Sequence, residues 1–287
     1  MDRYTIILTS DKRQEKLAAL MDGKKIGYAW EDNSKEKVAC ERIYVLPIPV
    51  SKLDKNPEIK EKLKEELIKL SAEDKMDVKV FGGVIGQEWK LFLDRYKIPY
   101  WDFMKLPEVV EGNGWITAEA TIAEVLKESE YSIYGQKVLI TGFGCCGEKI
   151  AKLFASLGAN VVVAARRAEI RKLVTQKGYA AIGFEDMEKT LVDVSTVINT
   201  VPALVMTEDR IRRMPRGSLI VDIASHPGGT DFEAANQYGV KARLALGLPG
   251  IYTTSSSALL LKNAISKYAP LQKNVRGDKL WIFQIII

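Results

Sequence analysis

Three glycines in the run Thr141-Gly142-Phe143-Gly144-Cys145-Cys146-Gly147 stand where a chain can receive a phosphate. The spacing G-x-G-x-x-G puts one glycine in a tight turn, leaves a second without a side chain where a pyrophosphate approaches, and lets the third bring a helix close to a sheet. Such a pattern is weak alone, and its surroundings give it force. Val138-Leu139-Ile140 before it is a β-favouring apolar run, and Ile150, Leu153, Phe154 and Leu157 after it lie at helical spacing. Backbone N–H groups at the start of that helix then face phosphate oxygens. Gly142, Phe143, Gly144, Cys145, Cys146 and Gly147 are therefore the expected cofactor-binding loop, the other reading being a structural turn in a different doubly wound protein. Two adjacent cysteines do not by themselves establish redox chemistry, because small residues suit a crowded turn.

The adenosine ribose of a dinucleotide should meet a side chain at the end of the second strand, about 20 residues beyond the loop. There Val161-Val162-Val163 runs into Ala164-Ala165-Arg166-Arg167, with no carboxylate. Asp or Glu would repel an added 2′-phosphate, whereas guanidinium groups pair with it bidentately. NADP(H) is expected over NAD(H), which stays open, with Arg166 and Arg167 as clamps; in the alternative, one binds phosphate and the other is a solvated helix-start residue. Asn199-Thr200-Val201-Pro202 ends another apolar strand at the edge where nicotinamide and substrate should meet. Asn199, Thr200 and Pro202 are candidate cofactor contacts, unless they only turn the chain.

His226, the single histidine, lies in Ser225-His226-Pro227-Gly228-Gly229 after a further apolar strand. An imidazole titrating near neutrality can accept a proton as a catalytic base or, when charged, hold a carboxylate. Its alternative is to organise the loop; Ser225 beside it is a substrate-binding candidate. Arg13, in the exit from the first strand, is a second anion ligand or else a first-turn helix charge. Thr117 can cap a helix or touch substrate, and Glu119 can join a cap or a polar network. No spaced Cys/His cluster suggests a metal.

These residues need a frame of alternating strands and helices. Residues 4–9 read as a strand, Asp11–Met21 as a helix, Lys25–Trp30 and Tyr44–Leu46 as strands, Pro57–Leu70 as a helix and Val78–Phe81 as a strand. Asn113-Gly114-Trp115-Ile116 reads as a break before a helix opened by Thr117, with Ile122, Val125 and Leu126 as its apolar stripe. Strands follow at 161–163, 196–198, 219–222 and 241–244, and a last helix starts near Ser255 with Ala258, Leu259, Leu261 and Ile265 on one face. The expected organisation is a substrate-side α/β domain over 1–115, an interdomain helix and linker over 116–134, a Rossmann domain over 135–252, and a C-terminal helix with an apolar tail over 253–287.

Composition excludes several classes. Lys and Arg total 42 against 37 Asp and Glu, but the positive residues alternate with acidic ones, which argues against a nucleic-acid surface. Three cysteines cannot make the evenly numbered framework of a small secreted protein. The first residues lack the apolar stretch of a signal peptide and read as a buried strand, so a cytoplasmic protein is expected. Leu280–Ile287 is too short to span a bilayer, and no membrane association is expected; it either docks on the body or a partner or forms an atypical tail.

The ordered blocks also carry a resemblance. Asn113 with Thr117-Ala118-Glu119, the glycine run, Ile198 to Val205 (INTVPALV), Ile220 to Ser225, Pro227 to Phe232 (PGGTDF) and Leu248-Pro249-Gly250 cover most of 113–260. On these, with weaker likeness in Thr9 to Gln14, the chain resembles the dipicolinate synthase A-subunit family. The resemblance implies a two-domain α/β fold like that of formate/glycerate dehydrogenases with a C-terminal Rossmann domain. It also implies oxidation of a dihydrodipicolinate-level intermediate to pyridine-2,6-dicarboxylate with a nicotinamide cofactor, in concert with the flavoprotein-like B-subunit of dipicolinate synthase. The setting it implies is the mother cell of a sporulating bacterium, and a homo-oligomer is compatible with it. Cys145 and His226 depart from it, since the family often has basic residues there. Alternatives are another NAD(P)-dependent dehydrogenase of hydroxy, amino or shikimate-type acids, and a catalytically silent NADP(H)-binding interaction subunit.

Overall fold

Parallel strands covered by helices on both faces need apolar side chains on both, which reads in a sequence as unbroken runs of Val, Ile and Leu. The computed structural model, which describes residues 2–21, 24–26, 40–73, 76–270 and 281–283, has two such sheets. The chain divides into two compact units, residues 1–112 with 253–287, and residues 113–252.

The first unit contains β1 (Asp2–Ile7), α1 (Lys12–Leu20), β2 (Lys24–Ile26), β3 (Cys40–Val45), α2 (Pro57–Ser71), β4 (Met76–Gly82), α3 (Gln87–Arg95) and β5 (Tyr100–Asp102). Its sheet runs β1-β3-β4-β5, every pair parallel. Ile6, Leu8, Tyr44 and Val80 pack with Leu63, Leu67, Trp89 and Leu93 of α2 and α3. On the other face Ile7, Ile43 and Val45 meet Leu17 of α1 and the late segment 258–265. Asp11 caps α1, its carboxylate accepting the Gln14 N–H.

Helix α4 (Pro107–Glu128) continues without interruption through the division between the units. This corrects the expected break at Asn113-Gly114. A Cβ on Gly114 would stand 2.8 Å from Cys145 Sγ and from Lys149 Cδ, so this glycine permits close helix packing rather than ending a helix. Thr117 consequently lies inside a helix and caps nothing. Val125 is buried as the stripe predicts, but Leu126 is 61% exposed.

The second unit continues with β6 (Lys137–Thr141), α5 (Cys145–Ser156), β7 (Asn160–Ala164), α6 (Ala168–Gln176), β8 (Ala180–Ile182), α7 (Met187–Leu191), β9 (Thr196–Asn199), α8 (Glu208–Ile211), β10 (Leu219–Asp222), α9 (Phe232–Tyr238) and β11 (Lys241–Leu244). Its strands are all parallel in the order β11-β10-β9-β6-β7-β8, the doubly wound arrangement in which the strand order reverses between β6 and β9. Alternate residues serve opposite cores. Val138, Ile140, Val163, Ile198 and Val221 join one, with Ile150 and Phe154 of α5. Leu139, Val162, Val197 and Ile220 join the other. Each such side chain, fully buried, contributes about 1.5–3 kcal/mol. Leu157, expected on the apolar stripe of α5, is 43% exposed beyond its end.

Helix α10 (Thr254–Tyr268) belongs to the first unit, where Ala258, Leu261 and Ile265 are buried, whereas Leu259 is 49% exposed. Of the apolar tail, β12 (Trp281–Phe283) pairs in parallel with β2. The remainder of that tail, and residues 27–30 of the strand expected at Lys25–Trp30, lie outside the described residues. No helix among the described residues is long and apolar enough to cross a membrane.

Candidate nucleotide and substrate site

Ligands of doubly wound sheets bind beyond the carboxyl ends of the strands, where the order reverses. Here that point lies between β6 and β9, and the glycine run leaves the end of β6 directly into α5. Gly142 adopts φ +88, and a Cβ on it would meet Thr200 Oγ1 at 2.6 Å. Gly147 is buried, and a Cβ there would collide with the Gly142 carbonyl oxygen. Gly144 is different: it is exposed, and a Cβ on it would meet nothing within 4 Å. Two glycines are thus required by the protein's own packing, while the third opens the surface in front of a twelve-residue helix whose first turn has no side-chain cap. This fits a pyrophosphate received by the N–H groups of the 143–146 backbone. The Phe143 ring is buried and stands edge-on to Tyr179, which leaves only its backbone to face the loop.

Beside the loop lies a cavity of about 250 Å³ formed wholly within the second unit. Thr117, Cys146, Thr200 and Ser225 give it polar edges, and Ile223, Ala224, Leu248 and Pro249 give it apolar walls. Its mixed lining suits a flat ring with a polar substituent. Burial pushes the Cys146 thiol above its usual range and the neighbouring Cys145 adds to this, while a hydrogen bond with Thr117 acts in the opposite sense. A thiol held protonated in this way is a wall rather than a nucleophile.

The wall formed by residues 223–225 is held from beneath. Asp222, fully buried, accepts from Ala224 N at 3.0 Å, Gly229 N at 2.8 Å, Thr230 Oγ1 at 2.8 Å and Asn199 Nδ2 at 2.9 Å. Asn199 Oδ1 accepts from Thr141 Oγ1 at 2.5 Å and from Val201 N at 3.2 Å. Asn199 is therefore a correction to the expected set of cofactor contacts: it is fully buried with its amide engaged inside the protein, and it fixes strand ends. Thr200 remains at the cavity, its hydroxyl donating to the Thr141 carbonyl at 2.7 Å. Pro202 is exposed.

Ser225 and His226 are exposed on the loop after β10, and the His226–Pro227 bond is cis. Glu119 is exposed on α4. Arg166 and Arg167 are exposed at the end of β7, Arg167 being the residue that precedes α6. In the first unit, Arg13 is 5% exposed and pairs with Asp11 at 2.8 Å, while its Nε has no hydrogen-bond partner. Lys52, with Nζ 3.2 Å from Ser10 Oγ and 4.0 Å from Asp11 Oδ2, is pulled below the usual lysine range by burial. Sequence reasoning passed over Asp222 and Thr230, although an Asp ending an apolar strand before a Gly-Gly-Thr turn is a usable signal. It also left Leu248-Pro249 without a role in the site.

Residues 104–226, which take in the glycine loop and the strands around it, match the D-isomer specific 2-hydroxyacid dehydrogenase, NAD binding domain. The dipicolinate synthase A-subunit of Bacillus subtilis is 38% identical over 151 residues, which take in 53% of this chain and 51% of that protein. The chain resembles the dipicolinate synthase A-subunit. The matched segment spans about half the length of that relative. A crystal structure of the dipicolinate synthase A-subunit from Bacillus halodurans superposes with a TM-score of 0.74 at 24% identity, over 94% of this chain and 98% of that one, and so shares the fold. Alanine dehydrogenase of Staphylococcus haemolyticus is 32% identical over 158 residues, 47% of this chain and 42% of that enzyme. The fold is α/β, and its second unit carries a dehydrogenase-type nucleotide-binding sheet.

Proposed function

We propose that this chain is a nicotinamide-dependent oxidoreductase that prefers NADP and serves as the A-subunit of a dipicolinate synthase. It oxidises a dihydrodipicolinate-level intermediate to pyridine-2,6-dicarboxylate together with a flavoprotein-like B-subunit, in the cytoplasm of a sporulating mother cell. The observation that carries the substrate is the 38% identity to the dipicolinate synthase A-subunit, and the glycine loop beside a cavity of mixed lining supplies a place for the chemistry.

Aromatisation of the dihydro ring removes one hydride and one proton. A bound nicotinamide dinucleotide supplies the hydride acceptor. The chain's own groups do the rest. Backbone N–H groups of 143–146 hold the pyrophosphate, Arg166 and Arg167 hold the 2′-phosphate, and Thr200 and Ser225 orient the ring in the cavity. His226 takes the ring proton. Thr117 supports the cavity through Cys146, and Glu119 is a more distant polar group of the same helix.

The test supplies freshly generated dihydrodipicolinate to the chain, both by itself and mixed with its flavoprotein-like partner, and follows cofactor reduction with NADP and with NAD. Turnover with NADP supports the proposal. Nucleotide binding without turnover in either mixture would leave a silent interaction subunit. The similarity to alanine dehydrogenase favours a second reading, an amino-acid dehydrogenase, which the same assay exposes if alanine reduces the cofactor and dihydrodipicolinate does not.

A further inference from the structure

The turn that follows β7 is held by a third arginine that the glycine fingerprint does not anticipate. Arg171, in the first turns of α6, donates from a single nitrogen, Nη1, to the carbonyl oxygens of Ala165 at 2.9 Å and Arg166 at 2.6 Å. It is partly buried, in contrast to the exposed Arg166 and Arg167. The two carbonyls are consecutive, and they belong to the segment that turns the chain from β7 into α6.

Their position makes them consequential for an anion. A carbonyl oxygen carries partial negative charge, and two bare carbonyls beside a phosphate would oppose it. Arg171 covers both and brings its own positive charge, while a charge-assisted bond to a carbonyl is stronger and stiffer than a neutral one. Arg167, which precedes α6, has extended backbone and makes no side-chain cap, so the first N–H groups of this nine-residue helix are not occupied by its side chain. The only acidic residue in that first turn is Glu169, which is exposed.

We infer that Arg171 is a positioning residue for 2′-phosphate selectivity, which locks the Ala165–Arg167 turn so that Arg166 and Arg167 are presented to the phosphate. The inference rests on the NADP reading of those two arginines and adds the residue that organises them. Arg171 touches backbone and not the nucleotide, so its replacement changes selectivity without removing a phosphate ligand.

The experiment titrates the full chain by calorimetry with 2′,5′-ADP and with 5′-ADP, which differ by the phosphate in question, for the wild type, Arg171→Gln and Arg171→Lys. In the wild type 2′,5′-ADP binds more tightly. Arg171→Gln weakens 2′,5′-ADP by at least about tenfold and leaves 5′-ADP within about twofold. Arg171→Lys, which keeps the charge and one donor, recovers part of the loss. A merely structural role would lower both affinities together, and that result, or unchanged selectivity in Arg171→Gln, overturns the inference while leaving the NADP reading intact. A wild type with no preference for 2′,5′-ADP overturns the NADP reading and this inference with it.

Discussion

Asn199 Nδ2 donates to Asp222 Oδ1 at 2.9 Å, joining two fully buried residues that are directly paired across the ends of β9 and β10. Asp222 is the acceptor of four donors, and three of them lie in the loop that walls the cavity or just beyond it. Asp222→Asn turns at least one acceptor into a donor facing a donor. Loss of one bond to a charged group and an unsatisfied N–H should destabilise the chain by about 3 kcal/mol. Thermal unfolding checks this, and nucleotide affinity should fall in parallel because the 223–225 wall loosens.

The three glycines should separate by readout. Gly144→Ala adds a methyl group into open space and should change stability by no more than about 0.5 kcal/mol while weakening dinucleotide binding. Gly147→Ala drives a methyl group against the Gly142 carbonyl and should cost about 1–3 kcal/mol whether or not nucleotide is present. Unfolding curves with and without NADP distinguish the two. Equal destabilisation by both substitutions would deny Gly144 a ligand-facing role.

Much of the frame was legible because its signals are local. The runs Val138-Leu139-Ile140 and Val161-Val162-Val163 are apolar on both faces because both faces are buried, and only a helix-covered parallel sheet asks for that. Gly142 and Gly147 were legible for the same reason, since one turn geometry demands both. Gly114 misled because a glycine that admits a neighbouring helix reads in sequence like one that ends its own. Asn199 misled because a polar residue at a strand end is equally suited to a ligand or to a buried network, and the choice is made by Asp222, 23 positions away. Leu126 and Leu157 extend apolar stripes past the point where the helices leave their cores, which spacing alone does not mark.

Cys146 gives a pH dependence with a defined sign. Its thiol is pushed up by burial, so the folded chain holds that proton more tightly than the unfolded chain does. The stabilisation is complete below the unfolded thiol range, about pH 8.5, and is lost as pH rises through the higher folded value. Cys146→Ala should therefore flatten the fall in melting temperature between about pH 8 and 10 relative to wild type. A parallel fall in both proteins would remove Cys146 as its source.

His226→Gln should fold and bind NADP like wild type, since the side chain is exposed on its loop. If the imidazole takes the ring proton, turnover should drop by about 10²- to 10⁴-fold with little change in substrate affinity. Stopped-flow kinetics across pH, paired with direct substrate titration, makes the comparison. A selective loss of affinity would move His226 to carboxylate recognition. Wild-type kinetics would return the proton-transfer role to another group.

The hydride itself provides the most direct measurement. Dihydrodipicolinate deuterated at its saturated ring carbons, offered to the chain with NADP and the flavoprotein-like subunit proposed to act with it, should yield reduced cofactor carrying one deuterium, in amounts equal to the pyridine-2,6-dicarboxylate formed. Product formed with no label in the nicotinamide, or with no reduced nicotinamide at all, would contradict direct transfer at this site.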